Sequence, residues 1–80
     1  MNTMNQAKRF QQVLSEEWER TVYDAESNTG FADTGIGEVN FRESNNDPAV
    51  IVELPMLRFK TTAEDAKRVL DAIAAIMRTV

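Results

Sequence analysis

The chain contains no cysteine and no histidine among its 80 residues, and it has only three glycines and two prolines. Without cysteine there is no disulfide framework, no thiolate zinc site and no cysteine nucleophile. Without histidine, the chain lacks the side chain most often used as a general base near neutral pH and as a metal ligand. The two absences together exclude the Ser-His-Asp and Cys-His arrangements of nucleophilic enzymes. The composition therefore points away from most catalytic chemistry.

The few glycines form no phosphate-binding or metal-binding motif. The fragment Gly35-Ile36-Gly37 matches part of a G-x-G sequence, but it precedes a predicted strand where a helix is needed. The segment Asp24–Asn28 has the alternating oxygen ligands that open a calcium loop, but a threonine follows where glycine is required. The last position of such a loop would be Gly35, where a bidentate glutamate is needed. We expect no metal, no cofactor and no enzymatic activity.

Length, charge and hydropathy together predict one small folded domain, residues 1–80. The hydrophobic share of 42% is too high, and the net charge of -4 too modest, for a disordered chain. No apolar run approaches the ~20 residues of a membrane span. The polar start, Met1–Arg9, has no apolar stretch behind its two bases and does not resemble a secretory signal. These features predict a cytoplasmic protein.

Two segments have the apolar periodicity of amphipathic helices. The first runs from Asn2 to about Thr21, and its apolar stripe consists of Met4, Ala7, Phe10, Leu14, Trp18 and Val22. The second begins at Thr61, a predicted N-cap that forms a capping box with Glu64. Its stripe consists of Ala66, Val69, Leu70, Ile73, Ile76, Met77 and Val80. Because Ile73 is central to this stripe, Ile73→Ala is expected to cost roughly 2–5 kcal/mol.

The part between these helices predicts a loop followed by strands. Tyr23–Gly37 reads as a loop, with only a weak indication of a short strand at Val22–Ala25. Ile36–Glu43 alternates as a strand, and a turn follows it. Ala49–Lys60 is strand-like, but its apolar residues change parity near Pro55, which predicts a bulge or bend at Pro55–Met56. A strand buried on both faces would explain the same pattern.

This order of elements predicts an α+β fold. A small antiparallel sheet of two or three strands would be packed by an N-terminal and a C-terminal amphipathic helix. So few strands leave one face of the sheet in water. Dimerisation through the sheet edge or through the C-terminal helix is therefore a further expectation.

The acids are concentrated in the middle of the chain. Residues 16–53 carry ten acids and two bases, whereas the segments before and after each carry a net charge of +2. Ordinary solubility explains such a segment, and so does a surface that docks on a basic partner. Trp18 is predicted to lie in the core because it continues the helix stripe. For Tyr23 and Phe31, the sequence is compatible both with the core and with an interface. The candidate partner-binding residues are Glu16, Glu19, Tyr23, Asp24, Glu26, Phe31 and Asp33.

The leading functional hypothesis is a non-enzymatic acidic protein that docks on a basic surface of a protein partner. In size, acidity and lack of cysteine the chain resembles small inhibitors encoded by phages and other mobile elements, such as the anti-CRISPR proteins, although no residue motif carries the likeness. That resemblance implies an inhibitor of a nucleic-acid-binding complex. One alternative is a structural subunit or a homo-oligomer. A second is weak nucleic-acid binding through Arg58, Lys60, Lys67 and Arg68.

Overall fold

The computed structural model describes residues 5–78, which form two α-helices and five β-strands. In chain order the elements are α1 (Gln6–Ser15), β1 (Thr21–Asp24), β2 (Thr29–Thr34), β3 (Gly37–Glu43), β4 (Val50–Glu53), β5 (Arg58–Thr61) and α2 (Ala63–Arg78). The strands pair antiparallel in sequential order. Both helices pack on this sheet, which confirms the α+β class. The sheet has five strands, so the predicted number of two or three is wrong.

Helix α1 is shorter than the apolar periodicity predicts. It begins after Asn5, whose side chain accepts a hydrogen bond from a backbone N–H group in the first turn (3.1 Å) and so acts as the N-cap. The helix ends at Ser15, and the chain turns at Glu16–Trp18 instead of continuing to residue 21. The predicted stripe is therefore only partly correct, because Val22 lies in β1 and is 50% exposed. Met4, the first member of the stripe, lies outside the described residues.

The segment predicted as a loop contains half of β1 and all of β2. Asn28, in the turn between them, has a left-handed backbone (φ 56°), which asparagine adopts more readily than most residues. Gly30 lies inside β2 and pairs with Phe41 of β3. A Cβ atom on Gly30 would lie 2.6 Å from Cζ of the Phe41 ring. The glycine is therefore required by a close approach inside the sheet, and not by a turn.

The other strands follow the sequence pattern more closely. In β3, Val39 and Phe41 are buried, as the alternation predicts. The single strand predicted over residues 49–60 is instead the hairpin β4–β5, closed by two backbone hydrogen bonds (2.7 and 3.4 Å). The bend predicted at Pro55–Met56 has the correct position, but it reverses the chain completely. Phe59 consequently returns to pair with Val52, which accounts for the change of parity.

Helix α2 begins one residue later than the predicted cap implies. Thr61 is the last residue of β5, so the predicted capping box with Thr61 does not form. The hydroxyl of Thr62 instead accepts a hydrogen bond from the N–H group three residues on (3.3 Å). Within residues 5–78, neither helix has both the length and the apolar character needed to cross a membrane.

The apolar stripe of α2 is buried along only part of its length. Leu70 is fully buried, and Ile73 is half-buried. Further along the helix, Ile76 is 63% exposed and Met77 is 54% exposed. Val80, the last predicted member, lies outside the described residues. The stripe therefore serves the core at the start of α2 and forms an apolar surface towards its end.

The core lies between the helices and one face of the sheet. At its centre, the rings of Phe10 and Phe41 meet edge to face, with centroids 5.1 Å apart and planes at 88°. The buried apolar cluster consists of Ala7, Phe10, Leu14, Ala32, Val39, Phe41, Val50, Val52, Ala63, Ala66 and Leu70. Alternate residues of β3 are exposed on the opposite side. One face of the sheet is thus covered by the helix layer, and the other, called here the open face, is not.

Candidate functional site

The two ends of the sheet differ in chemistry, and each is defined by the elements that meet there. At the proximal end, both helices begin, and the chain forms the β1–β2 turn and the β3–β4 loop. At the distal end, α1 terminates, and the β2–β3 and β4–β5 turns approach the second half of α2. The polar side chains of the proximal end are largely bonded to one another, whereas several acids of the distal end form no ion pair with another described residue.

A hydrogen-bonded cluster joins α1 to the sheet at the proximal end. The hydroxyl of Tyr23 donates to Oδ1 of Asn28 (2.7 Å), and Nδ2 of Asn5 donates to the same oxygen (2.8 Å). Oε1 of Glu43 accepts a hydrogen bond from the Ala7 N–H group in the first turn of α1 (2.8 Å). Partial burial raises the pKa of Tyr23, and the nearby carboxylates of Glu43 and Asp24 raise it further. Tyr23 therefore has a structural role here.

Ion pairing divides the acids of the chain into two groups. Within residues 5–78, every acid from Asp47 onward forms an ion pair, whereas between residues 16 and 43 only Glu17 does so. Asp24 and Glu43 accept hydrogen bonds from backbone N–H groups. Five acids remain whose carboxylates have neither an ion pair nor a hydrogen bond to another described residue. These five are Glu16, Glu19, Glu26, Asp33 and Glu38.

Four of these five free carboxylates lie at the distal end. Asp33 and Glu38 are directly opposite each other in the β2–β3 pair, and both are exposed. The Asp33 N–H group donates to the carbonyl of Arg20 (2.9 Å), which places Glu19 and Arg20 beside this end of β2. Glu16 is the C-cap of α1. We call Glu16, Glu19, Asp33 and Glu38 the distal acids.

Both helices also direct their C-terminal ends to the distal end. A helix C-terminus carries a partial negative charge of roughly half an electron, so acids are unfavourable there and bases are favourable. The last turn of α1 contains no base, and Glu16 caps it. The opposed pair of Asp33 and Glu38 is likewise unfavourable, because like charges that face each other across two strands repel. Local stability would favour other residues at these positions.

An apolar groove of about 380 Å³ lies at the same distal end. One wall comes from Ile73 and Met77 of α2, and the rest comes from Ile36 and the β4–β5 turn, in which Met56 is 96% exposed. All seven lining residues are apolar: Ile36, Leu54, Pro55, Met56, Leu57, Ile73 and Met77. Glu38 lines an adjoining hollow on the other side of the same turn. The groove and the distal acids are together called here the distal site, and Glu38 is the acid that lies against the same turn as the groove.

Three of the aromatic side chains of the acidic segment, Trp18, Tyr23 and Phe31, lie in different environments. Trp18 is partly buried against the core, with the Lys67 ammonium 5.5 Å from its ring centroid. Tyr23 also packs against the core. Phe31 is half-buried on the open face, opposite Val22 and Asn40. Of the three rings, only Phe31 is available on the open face.

The predicted partner-binding residues are not brought together on one surface. Glu16, Glu19 and Asp33 lie at the distal end. Tyr23, Asp24 and Glu26 belong to the proximal end, because β1 carries the chain from one end to the other. Phe31 lies on the open face, where it lines one hollow together with Asp24. Sequence reasoning missed Glu38 and the groove. The acidity of the segment could have indicated Glu38, whereas the groove depends on the packing of three separate elements.

The four bases proposed for nucleic-acid binding are also divided. Arg58 and Lys60 share the open face, whereas Lys67 and Arg68 lie on α2. All four form ion pairs with acids of this chain. Partial burial disfavours the charged form of Lys67, but hydrogen bonds to the carboxylates of Asp71 and Glu17 outweigh it and raise the pKa of Lys67. These neutralising contacts disfavour the four bases as a phosphate-binding patch.

Asp24, the first potential calcium ligand of the β1–β2 turn, is bonded within the turn itself. The carboxylate of Asp24 accepts hydrogen bonds from the Glu26 N–H group (3.0 Å) and from the Ser27 hydroxyl (3.1 Å). In the part of the chain that the structure describes, no three acids gather in a way that could hold a metal ion. Comparison of the chain with protein-family models, with curated proteins and with solved structures finds no match in any of the three.

Proposed function

We propose that this chain is a non-enzymatic binding protein that docks its distal site on a basic surface of a protein partner. The observation that carries the proposal is that one end of the sheet holds both an exposed apolar groove and the four distal acids, whose carboxylates form no ion pair within residues 5–78. Of these acids, Glu38 lies in the hollow next to the groove. Clustered charge of one sign accelerates association and selects orientation. Desolvation of apolar side chains at the centre of an interface supplies most of the affinity.

The local cost of the distal acids supports a role in binding. Glu16 is unfavourable at the C-terminal end of α1, and Glu38 is unfavourable opposite Asp33. Residues that break a local rule without a compensating contact in the folded chain are typical of functional sites. A basic partner would supply the missing contacts.

A protein whose basic groove normally holds phosphates is the class of partner that we favour. Carboxylates can occupy the positions of phosphates in such a groove, which is how a phage-type inhibitor of a nucleic-acid-binding complex would act. The chain would then compete with nucleic acid for its partner. Release of the bound partner by a nucleic-acid oligonucleotide is the expected result.

The proposal can be tested with two variants that change charge equally at opposite ends. Glu38 and Glu26 are both exposed, and neither carboxylate forms an ion pair with another described residue. The full chain, Glu38→Lys and Glu26→Lys would be immobilised and used to capture proteins from the native host at low and at high salt. We expect a specific partner that is lost with Glu38→Lys, kept with Glu26→Lys and weakened by salt.

Association kinetics provide the quantitative form of the same test. With the captured partner in solution, the double change Glu16→Lys with Glu19→Lys is expected to lower the association rate by roughly tenfold at low salt. A partner whose binding ignores both ionic strength and the distal substitutions would overturn the proposal.

A second candidate function is homodimer formation through α2. It is favoured by the exposure of Ile76 and Met77, because apolar side chains at the end of a helix often mark a contact between subunits. Sedimentation of the purified chain separates the candidates. A folded monomer at micromolar concentration rules out an obligate dimer.

A further inference from the structure

We infer that the distal groove binds a partner segment in which one or two large apolar side chains are flanked by lysine or arginine. This inference rests on the proposed function and names the chemistry of the partner at that site. The apolar side chains would enter the groove, and the flanking bases would meet the distal acids. The two parts of the site therefore recognise two different features of one segment.

The shape of the groove accounts for the apolar part of the segment. Ile73 and Met77 are one helical turn apart and form one wall, and Leu54 and Leu57 lie at the ends of the turn that forms the other. Met56 lies at the edge of the groove and is almost fully exposed. Because none of the lining residues carries a charged side chain, a polar group placed there would lose water without gaining a partner.

The charge around the groove accounts for the basic part of the segment. Glu38 lies next to the groove, beyond the β4–β5 turn, and its carboxylate makes no ion pair within the described residues. Glu53 lines the same hollow, but Arg42 and Arg58 already lie within 3.9 and 3.6 Å of its carboxylate. Glu38 is therefore the acid beside the groove that a partner base would meet first, and the other distal acids extend the negative field beyond it.

The same charges disfavour a second copy of this chain as the occupant. A symmetric dimer joins the same patch on both chains, so it would bring two sets of distal acids together. Across residues 5–78, the bases of the distal end that make no ion pair are Arg20 and Arg78, against four free carboxylates in each chain. A dimer would therefore remain acidic at its interface, whereas a basic partner segment would neutralise it.

Three short synthetic peptides test the inference with the full chain. The first contains two leucines among lysines, the second replaces the leucines by serine, and the third replaces the lysines by glutamate. Fluorescence anisotropy would measure the dissociation constant of each peptide. We expect the lysine–leucine peptide to bind roughly tenfold or more tightly than either of the others, because only it supplies both features.

Groove variants with a matched control locate the binding site. Met77 and Val22 are exposed to a similar degree, 54% and 50%, but Val22 lies on the open face away from the groove. Met77→Ser is expected to weaken the lysine–leucine peptide by roughly tenfold, and Val22→Ser to leave it unchanged. Met56→Ser, at a position that is 96% exposed, should weaken binding without any effect on folding.

The outcomes separate the inference from the proposed function. Equal binding of the lysine–serine peptide, absence of binding by all three peptides, or no effect of Met77→Ser and Met56→Ser would overturn the groove assignment. Each of these results would still be consistent with the proposed function, because the distal acids could dock on a basic surface without the groove. If neither Glu38→Lys nor high salt weakened the binding of a captured partner, the proposed function itself would be wrong. If the chain associates with itself and Met77→Ser abolishes this association, the groove binds a second copy of the chain and the inference is wrong.

Discussion

The proximal and distal ends of the sheet show two different uses of polar and apolar side chains. At the proximal end, Asn5, Asn28, Tyr23 and Glu43 bond to one another or to the start of α1. At the distal end, four carboxylates and several large apolar side chains make few contacts. The polar side chains of the proximal end thus bond to one another, whereas the distal acids keep free carboxylates. This difference is the reason for placing the proposed binding site at the distal end.

The difference arises from the unequal lengths of the two helices. Gln6 accepts a hydrogen bond from the Ala63 N–H group, so the helices begin side by side. Helix α1 has 10 residues and α2 has 16, so the last turns of α2 extend past the end of α1. Ile76 and Met77, in those last turns, are exposed.

The largest expected effect compares two neighbours on α2. Leu70 is fully buried, so Leu70→Ala should lower the free energy of unfolding by about 2–5 kcal/mol. Ile73 is half-buried in the groove wall, so Ile73→Ala should cost only about 1–2 kcal/mol, below the value expected from the sequence. Urea unfolding of both variants measures the difference. Equal losses would show that the groove belongs to the core.

The next prediction concerns the proximal carboxylate that caps α1. Glu43→Ala removes the acceptor of the Ala7 N–H group and should destabilise the fold by about 1–2 kcal/mol. Glu43→Gln keeps an acceptor at this position and should cost less. If Glu43→Ala leaves the urea midpoint unchanged, the contact at the start of α1 does not contribute to stability.

The distal acids should respond in the opposite direction. Glu38→Thr removes the repulsion between Glu38 and Asp33 and places a good strand former in β3, so it should raise stability by about 0.2–1 kcal/mol. Glu26→Thr, in the β1–β2 turn, is the control and should have little effect. Chemical unfolding measures both variants. A loss of stability with Glu38→Thr would show that Glu38 has a structural role, which would remove one argument for binding.

The sequence predicts those elements whose information is local. Periodicity and turn residues within a few positions predict the strand around Val39, the turn at residues 44–48 and, to within one residue, the start of α2. The sequence does not predict strand β2, because a glycine such as Gly30 indicates a turn. Only the structure shows that the ring of Phe41 requires a glycine at this position in the strand. The sequence does not predict the exposed end of α2, because Leu70 and Met77 occupy equivalent positions in the stripe although one is buried and the other exposed. The hairpins also place some acids of the acidic segment at the proximal end of the sheet and others at the distal end. The number of charges in a segment does not predict this division.

The smallest expected effect is the acid dependence of the proximal pair between Arg9 and Glu64. A hydrogen bond from Arg9 (2.7 Å) lowers the pKa of Glu64 below its usual value. A carboxyl whose pKa is lower in the folded state stabilises the fold above its unfolded pKa, and this contribution is lost as the pH falls through the folded pKa. Because the Glu64 side chain is 51% exposed, solvent limits the effect to about 0.2–1 kcal/mol. Urea unfolding should therefore show Glu64→Gln to be slightly less stable than the natural chain at neutral pH and equal to it in acid, whereas an equal deficit at both pH values would mean that the ion pair is not responsible.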